Sequence, residues 1–302
     1  MDTTARSGDD QGRAPLVTFE DVTLSFEGLV AIDDVSFEVY PGQLFAIIGP
    51  NGAGKTSTFN CISGVYHPSA GRITFEGRDL LGLPPHAITE LGIARTFQNV
   101  ELFPMLTTLD NLLVGRHVHY RSNWLRDGIW LGRARREEVA HRGRVEEIID
   151  FLDLESFRDK PASFLPYGVQ KRIELGRALV MDPKLLLLDE PAAGMNLEET
   201  EDVARYILDV KEELGITQIL VEHDMGVVMD LADEVAVLDF GRKIAQGRPA
   251  EVQSHPEVIR AYLGASTDVG GDGGAAAGGD AARTGEAAIG DTTDRVTDGG
   301  AS

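Results

Sequence analysis

The 302-residue sequence is short of several things, and each shortage excludes something. It has one cysteine, Cys61, so no intrachain disulfide can form and a reducing compartment is expected. Cys61 falls in a stretch of helical character, where a buried, inert thiol is the expected state. Positive charge is scarce: 28 bases, of which only 6 are lysine, face 49 acids, for a net charge of −21. Such a balance argues against electrostatically driven binding to nucleic acid or to an anionic lipid surface. No run approaches the ~18 apolar residues needed to cross a bilayer. The N-terminus also lacks the apolar core of a signal peptide. The chain is therefore expected to be soluble by itself.

Large apolar residues are missing from both ends as well. Residues 1–14 (MDTTARSGDDQGRA) are polar, and 265–302 are mostly Gly, Ala, Asp and Thr, with Val269, Ile289 and Val296 as the only large aliphatics. Segments of this kind bury too little surface to offset ordering entropy, so both are expected to be disordered, the tail as an acidic Gly/Ala-rich appendage. Residues 15–264 are left as one large folded domain.

What is present in that domain is alternation. Residues 16–26, 34–39 and 71–77 alternate apolar and polar as half-buried strands do. LFAIIG (44–49) is a continuous apolar run, expected as a strand buried on both faces. These strands together predict a mostly antiparallel sheet feeding one central strand. Residues 99–168 read as an inserted helical subdomain, with Thr108 as the expected N-cap of LDNLLVGRHVHY. Val139, Val145, Ile148, Ile149 and Leu152 carry a helical period through the same insert. From Gln170 an amphipathic helix is expected, with Ile173, Leu175 and Leu179 apolar among Lys171, Arg172, Glu174 and Arg177. Strand and helix then alternate through LLLLDE (185–190), a helix stopped by Gly215, the strand ITQILVEH (216–223), a short helix, a hairpin turning at Phe240–Gly241 and a last helix near 255–263. That order implies a parallel α/β core with an antiparallel patch and a helical insert.

One loop states its chemistry. Gly49-Pro50-Asn51-Gly52-Ala53-Gly54-Lys55-Thr56 fits G-x-x-x-x-G-K-[ST], with Ser57 next, between a buried strand and a helix. Its glycines let backbone N–H groups curl around a β-phosphate, Lys55 bridges phosphate oxygens and the Thr56 hydroxyl can hold Mg²⁺. The strand LLLLDE ends in Asp189, expected beside that loop and within reach of Mg²⁺ through water. Glu190 next to it is the expected general base or orienting group for an attacking water. His223, at the end of another strand, is placed to contact a γ-phosphate. Gln98, the last residue of the strand-like run GIARTFQ (92–98), can ligate Mg²⁺ or hold the lytic water, and Phe26 can stack on an adenine ring. Leu165-Pro166-Tyr167-Gly168 forms a tight turn before the helix at Gln170, leaving bare N–H donors at the positive end of a dipole, an anion site.

In this order and context the motifs resemble ATP-binding-cassette (ABC) nucleotide-binding domains over about residues 15–264. Gly49–Thr56 matches the Walker A motif, Gln98 the Q-loop, Leu165–Val169 the signature, Asp189–Glu190 Walker B, His223 the switch histidine, and the stretch containing Gly194 and Asn196 the D-loop. The resemblance implies a RecA-like P-loop NTPase core with an antiparallel β subdomain and the inserted helical subdomain. It also implies head-to-tail pairing, as a homodimer or with a second ATPase subunit. Each ATP would then lie between one P-loop and the partner's residues Leu165, Pro166, Tyr167, Gly168 and Val169. Two positions depart from the family pattern: Pro166 stands where a serine hydroxyl is usual, and Asn196 where an aspartate is usual. Both bear on rate more than on the reaction.

Segments such as GPNGAGKTSTFNCISGVYHPSAGRI, LVEHDMGVVMDLADEVAVLDFGRKIAQG and HPEVIRAYLG resemble in particular the ATPase subunits of branched-chain amino acid importers, the longer of the two paired types. That resemblance implies a place on the cytoplasmic face of the cell membrane, held by two integral-membrane permeases in a groove beside the Q-loop. An extracellular solute-binding protein would deliver the solute, and nucleic acid is not an expected partner. Related transporters of urea or amides, or of lipopolysaccharide, have similar ATPases, and a soluble cassette ATPase of a non-transport process is the other class. The acidic, lysine-poor balance suits a halophilic prokaryote, and a high-GC genome produces the same exchange of Lys for Arg.

Overall fold

The computed structural model describes residues 13–96, 98, 100–117 and 131–265, with the backbone alone for 131–137 and 263–265. The expected disordered ends lie outside the described residues apart from 13, 14 and 265.

Two sheets form, the antiparallel one expected from the alternating strands and the expected parallel core, with β3 as a central strand of the second. β1 (Val17–Phe26), β2 (Leu29–Val39), β4 (Ala70–Phe75) and β5 (Arg78–Asp79) make an antiparallel sheet in the order β2-β1-β4-β5. The other sheet runs β10-β9-β3-β8-β7-β6 and holds β3 (Leu44–Ile48), β6 (Ile93–Arg95), β7 (Leu185–Asp189), β8 (Thr217–Val221), β9 (Glu234–Asp239) and β10 (Arg242–Gly247). All its pairs are parallel except the β9–β10 hairpin, which turns at Phe240 and Gly241, both with positive φ. β2 begins five residues before the expected 34 because Leu29 and Val30 pair with Phe26 and Ser25 at the hairpin tip, where both stay exposed and hide the alternation.

Strand faces sort the core. On β3 the side chains of Phe45 and Ile47 join β1, β2 and β4, while Leu44, Ala46 and Ile48 join clusters on the opposite face. β7 divides the same way, Leu185 and Leu187 against Leu186 and Leu188. Phe19, Phe37 and Phe45 stack at 4.6 and 5.2 Å and tie the antiparallel sheet onto the parallel one. Removing a ring such as Phe45 by Ala would cost about 3–5 kcal/mol.

Helices cover the faces: α1 (Lys55–Ile62), α2 (Pro85–Glu90), α3 (Thr108–Arg116), α4 (Leu131–Phe151), α5 (Tyr167–Leu179), α6 (Leu197–Glu212), α7 (Met225–Leu231), α8 (Pro249–Gln253) and α9 (Pro256–Ala265). Cys61 is buried in α1 and burial pushes its thiol up to about 12, so it is inert. Three local expectations need correction. Thr107, not Thr108, caps α3: its hydroxyl accepts from the Asp110 N–H, while Thr108 donates to the Phe157 carbonyl. Val139 is 65% exposed, because the buried stripe of α4 starts only at Val145. On α5 the charged Lys171 and Glu174 are buried with the apolar stripe, paired to each other at 3.5 Å, since both faces of that helix are covered. No described helix is long and apolar enough to cross a membrane.

Candidate active site

The parallel register brings three strand ends level, with Ile47 and Asp189 both opposite Val221, so the loops after β3, β7 and β8 open at one edge. After β3 the chain must turn tightly. A Cβ on Gly49 would lie 2.1 Å from the Leu238 carbonyl oxygen, and one on Gly54 2.6 Å from that of Ala31, so only glycine fits. Ala53 N–H donates to Pro50 O (3.1 Å) and Gly241 N–H to Ala53 O (3.1 Å), which anchors the loop on the β9–β10 turn. Asn51 and Gly52 are exposed, Pro50 is half-buried and Ala53 is buried. α1 starts at Lys55 with neither a side-chain cap nor an acid in its first turn, so its leading N–H groups are free for an anion. Thr56 is exposed there and Ser57 half-buried. Lys55 Nζ donates to the carbonyls of Gly49 (2.7 Å) and Pro50 (3.0 Å). Burial lowers the pKa of that ammonium, and the charges of Glu190 and Asp189 oppose the shift.

Asp189 closes β7 as a buried carboxylate, with Oδ2 2.6 Å from the Arg95 guanidinium. Glu190 follows with φ 45°, a left-handed turn that a glutamate rarely adopts. Its Oε2 accepts from the Gln98 amide at 2.6 Å and lies 3.9 Å from His223 Nδ1. Gln98, Glu190 and His223 thus lie together at this edge. His223 is 59% exposed. Phe26 is part-exposed at the tip of β1, edge-on to Tyr66 at 5.0 Å, with ring surface free for a further partner. Among the described residues no group of three or more His, Cys, Asp or Glu gathers into a metal cage. The donors available, the Thr56 hydroxyl, Gln98 amide and Asp189 carboxylate, are hard oxygens, few in number, a set that fits Mg²⁺ keeping water and phosphate ligands.

Sequence reasoning missed three charged residues behind this site. Arg95 was read only as part of a strand-like run. Glu222 is buried at the end of β8, accepting from the N–H of Ala192 (3.1 Å) and of His223 (3.1 Å); burial raises its pKa and these donors oppose the rise. It holds the loops bearing Glu190 and His223 together. Lys171 Nζ donates to the Gln98 carbonyl at 2.7 Å, tying α5 to the residue that touches Glu190. A charge inside an otherwise apolar stripe was the available signal for the last two.

The corner at 165–169 is built differently. α5 begins at Tyr167, three residues before the expected Gln170, because Pro166 sits at the N-cap with the extended φ and ψ that let the helix start directly after it. Leu165 and Val169 are buried, while Pro166 and Tyr167 are exposed. Pro166 offers no side-chain cap, so the first N–H groups of the helix stay bare. Tyr167 Oη donates to the Ala193 carbonyl at 3.4 Å, and a Cβ on Gly168 would meet Glu199 Oε1 at 3.0 Å. Asn196 caps α6 in a reciprocal box with Glu199, and Gly194 precedes it with φ 79°. The asparagine thus has a local structural role. Among the described residues no hydrogen bond joins 165–169 to 49–57.

With this geometry in hand, comparison with known proteins is informative. The family model described as ABC transporter matches residues 32–193, and one described as branched-chain amino acid ATP-binding cassette transporter matches 242–268. The high-affinity branched-chain amino acid transport ATP-binding protein BraF of Pseudomonas aeruginosa is 40% identical over 250 residues, covering 83% of this chain and 98% of that protein. LivG of Escherichia coli, of the same description, is 38% identical with the same coverage. Among solved structures, the ADP conformation of an ATP-binding cassette of an ABC transporter superposes with TM-score 0.73 at 33% identity, over 83% of this chain and 99% of that one. A nucleotide-free cassette gives TM-score 0.72 at 32% identity, over 82% and 99%. This chain belongs to the ABC transporter family as an ATP-binding cassette ATPase, and within it to the group of branched-chain amino acid transport ATP-binding proteins.

Proposed function

We propose that this chain hydrolyses ATP to drive a membrane importer of branched-chain amino acids or related small solutes. The observation that carries the reading is the convergence of Gly49–Ser57, Asp189–Glu190, Gln98 and His223 at one sheet edge, with the Gln98 amide 2.6 Å from Glu190. The loop amides and Lys55 bind the β- and γ-phosphates, for which Lys55 exchanges its contacts with the Gly49 and Pro50 carbonyls. Phe26 stacks on the base. Thr56, Asp189 and Gln98 would hold Mg²⁺, which would neutralise charge on the phosphate oxygens. Glu190 orients a water and takes its proton as the water attacks the γ-phosphorus, and the bond to the bridging oxygen breaks to leave ADP and phosphate. His223 donates to a γ-phosphate oxygen. Gln98 shifts between water and Glu190.

The bare N-terminus of α5 completes this site for a second cassette. The corner 165–169 has unpaired donors and exposed residues, with Gly194 and Asn196 beside it, and an anion brought by a partner chain would satisfy them. The partner is a second copy or a paired ATPase subunit, and the two close around shared ATP. The permeases dock in the groove of about 350 Å³ lined by Val65, Ile88, Thr89, Val114, Arg177 and Met181, between α1–α2 and α3–α5. On this reading the chain works at the cytoplasmic face of the membrane, the inserted helical segment moves with the permeases, and the solute never touches it. The test is nucleotide-driven association. Purified Glu190→Gln in excess MgATP, with its paired subunit if the transporter has two, should migrate as a dimer. A monomer with nucleotide bound would remove the shared site.

A further inference from the structure

Arg95 ends β6 and takes no part in the chemistry above, yet among the described residues its guanidinium meets Asp189, Asn60, Ser63 and Phe59. One terminal nitrogen donates to Asp189 Oδ2 at 2.6 Å. The other donates to Asn60 Oδ1 at 2.7 Å and to Ser63 Oγ at 3.3 Å, and the guanidinium carbon lies 5.6 Å from the centre of the Phe59 ring. Phe59 and Asn60 belong to α1, and Ser63 is its C-cap. The same helix opens with Lys55 and Thr56, about one turn before Asn60. Arg95 therefore connects the helix that presents Thr56 to the strand that ends in Asp189. A planar fork can serve several acceptors at once, and a lysine ammonium cannot reproduce that spacing. The side chains of Arg95 and Asp189 are only 12% and 7% exposed, so solvent neither screens the pair nor replaces it.

We propose that Arg95 is a positioning residue that locks the Asp189 carboxylate at a set distance and angle from Thr56, and thereby sets the affinity of the Mg²⁺ site. This rests on the assignment of Thr56 and Asp189 to Mg²⁺ made above. Without Arg95, Asp189 is a buried carboxylate with one restraint fewer, and its oxygens would no longer be held in one orientation toward the metal. Partners of metal-binding groups of this kind are worth about 10–100-fold in metal affinity. The contacts described for Arg95 are with the side chains of Asp189, Asn60, Ser63 and Phe59, so the proposal places the defect in the metal site and not in ATP binding.

The test is binding without turnover: affinity of the full chain for a fluorescent ATP analogue while Mg²⁺ is titrated. Arg95→Met should raise the Mg²⁺ midpoint about tenfold or more, with affinity in EDTA unchanged. Asn60→Ala removes a brace while leaving the ion pair, so it folds even where Arg95→Met does not, and it should raise the midpoint a few-fold. An unchanged or lowered midpoint in Asn60→Ala, or in a folded Arg95→Met, overturns the proposal. Asp189→Asn separates the two layers. If it leaves the midpoint untouched the metal assignment itself fails; if it shifts the midpoint and neither Arg95→Met nor Asn60→Ala does, only the role of Arg95 fails.

Discussion

The two anion-binding corners of this chain differ in how far each is satisfied from within. At the loop after β3, Lys55 is bonded to two carbonyls, Asp189 to Arg95, and Glu190 to Gln98. At the start of α5, Pro166 supplies no cap and the exposed Tyr167 has one long hydrogen bond, 3.4 Å, to the Ala193 carbonyl. The first corner exchanges internal partners for phosphate; the second has few to exchange. Both helices start uncapped, so each offers free N–H groups to an anion, and at α5 the anion would have to come from a second copy.

That contrast can be broken from either side. Glu190→Gln keeps the Gln98 contact geometry but removes the base, so kcat should fall by about 10²–10⁴ while ATP still binds; a steady-state rate near that of the parent would take Glu190 out of its role. Lys55→Ala removes charged hydrogen bonds worth about 1.5–3 kcal/mol each, so ATP affinity should weaken at least about tenfold in equilibrium binding. Pro166→Ser gives the second corner the hydroxyl it lacks. One added bond to a charged oxygen, worth about 1.5–3 kcal/mol, predicts turnover about tenfold higher or more, with little change in binding to the isolated chain. Equal effects on isolated and paired forms would show that the corner does not act across an interface. Asn196→Ala should cost about 1 kcal/mol of stability in thermal or urea unfolding, through the lost cap.

How legible each corner was in the sequence follows from the same difference. The β3 loop is written in consecutive residues, because glycines forced by the Leu238 and Ala31 carbonyls must stand at fixed spacing. Strand ends at Asp189, Glu190 and His223 were readable because a parallel sheet places carboxyl ends together. Arg95, Glu222 and Lys171 were not, since each acts through a partner 94, 30 or 73 residues away, and no local period marks such a pairing. The misplaced start of α5 has a plain cause: Tyr167 and Gly168 carry turn propensity, but a proline N-cap commits the next residue to helix. How the antiparallel sheet docks on the parallel one depends on the long-range stacking of Phe19, Phe37 and Phe45, which alternation alone does not encode.

Amide hydrogen exchange over residues 163–172, in the assembled Glu190→Gln transporter with and without MgATP, most directly tests whether the second corner is completed by another cassette's nucleotide. The account predicts that the backbone N–H groups of Tyr167, Gly168 and Val169 exchange readily without nucleotide and become protected with it. Protection that is the same in both states would contradict it.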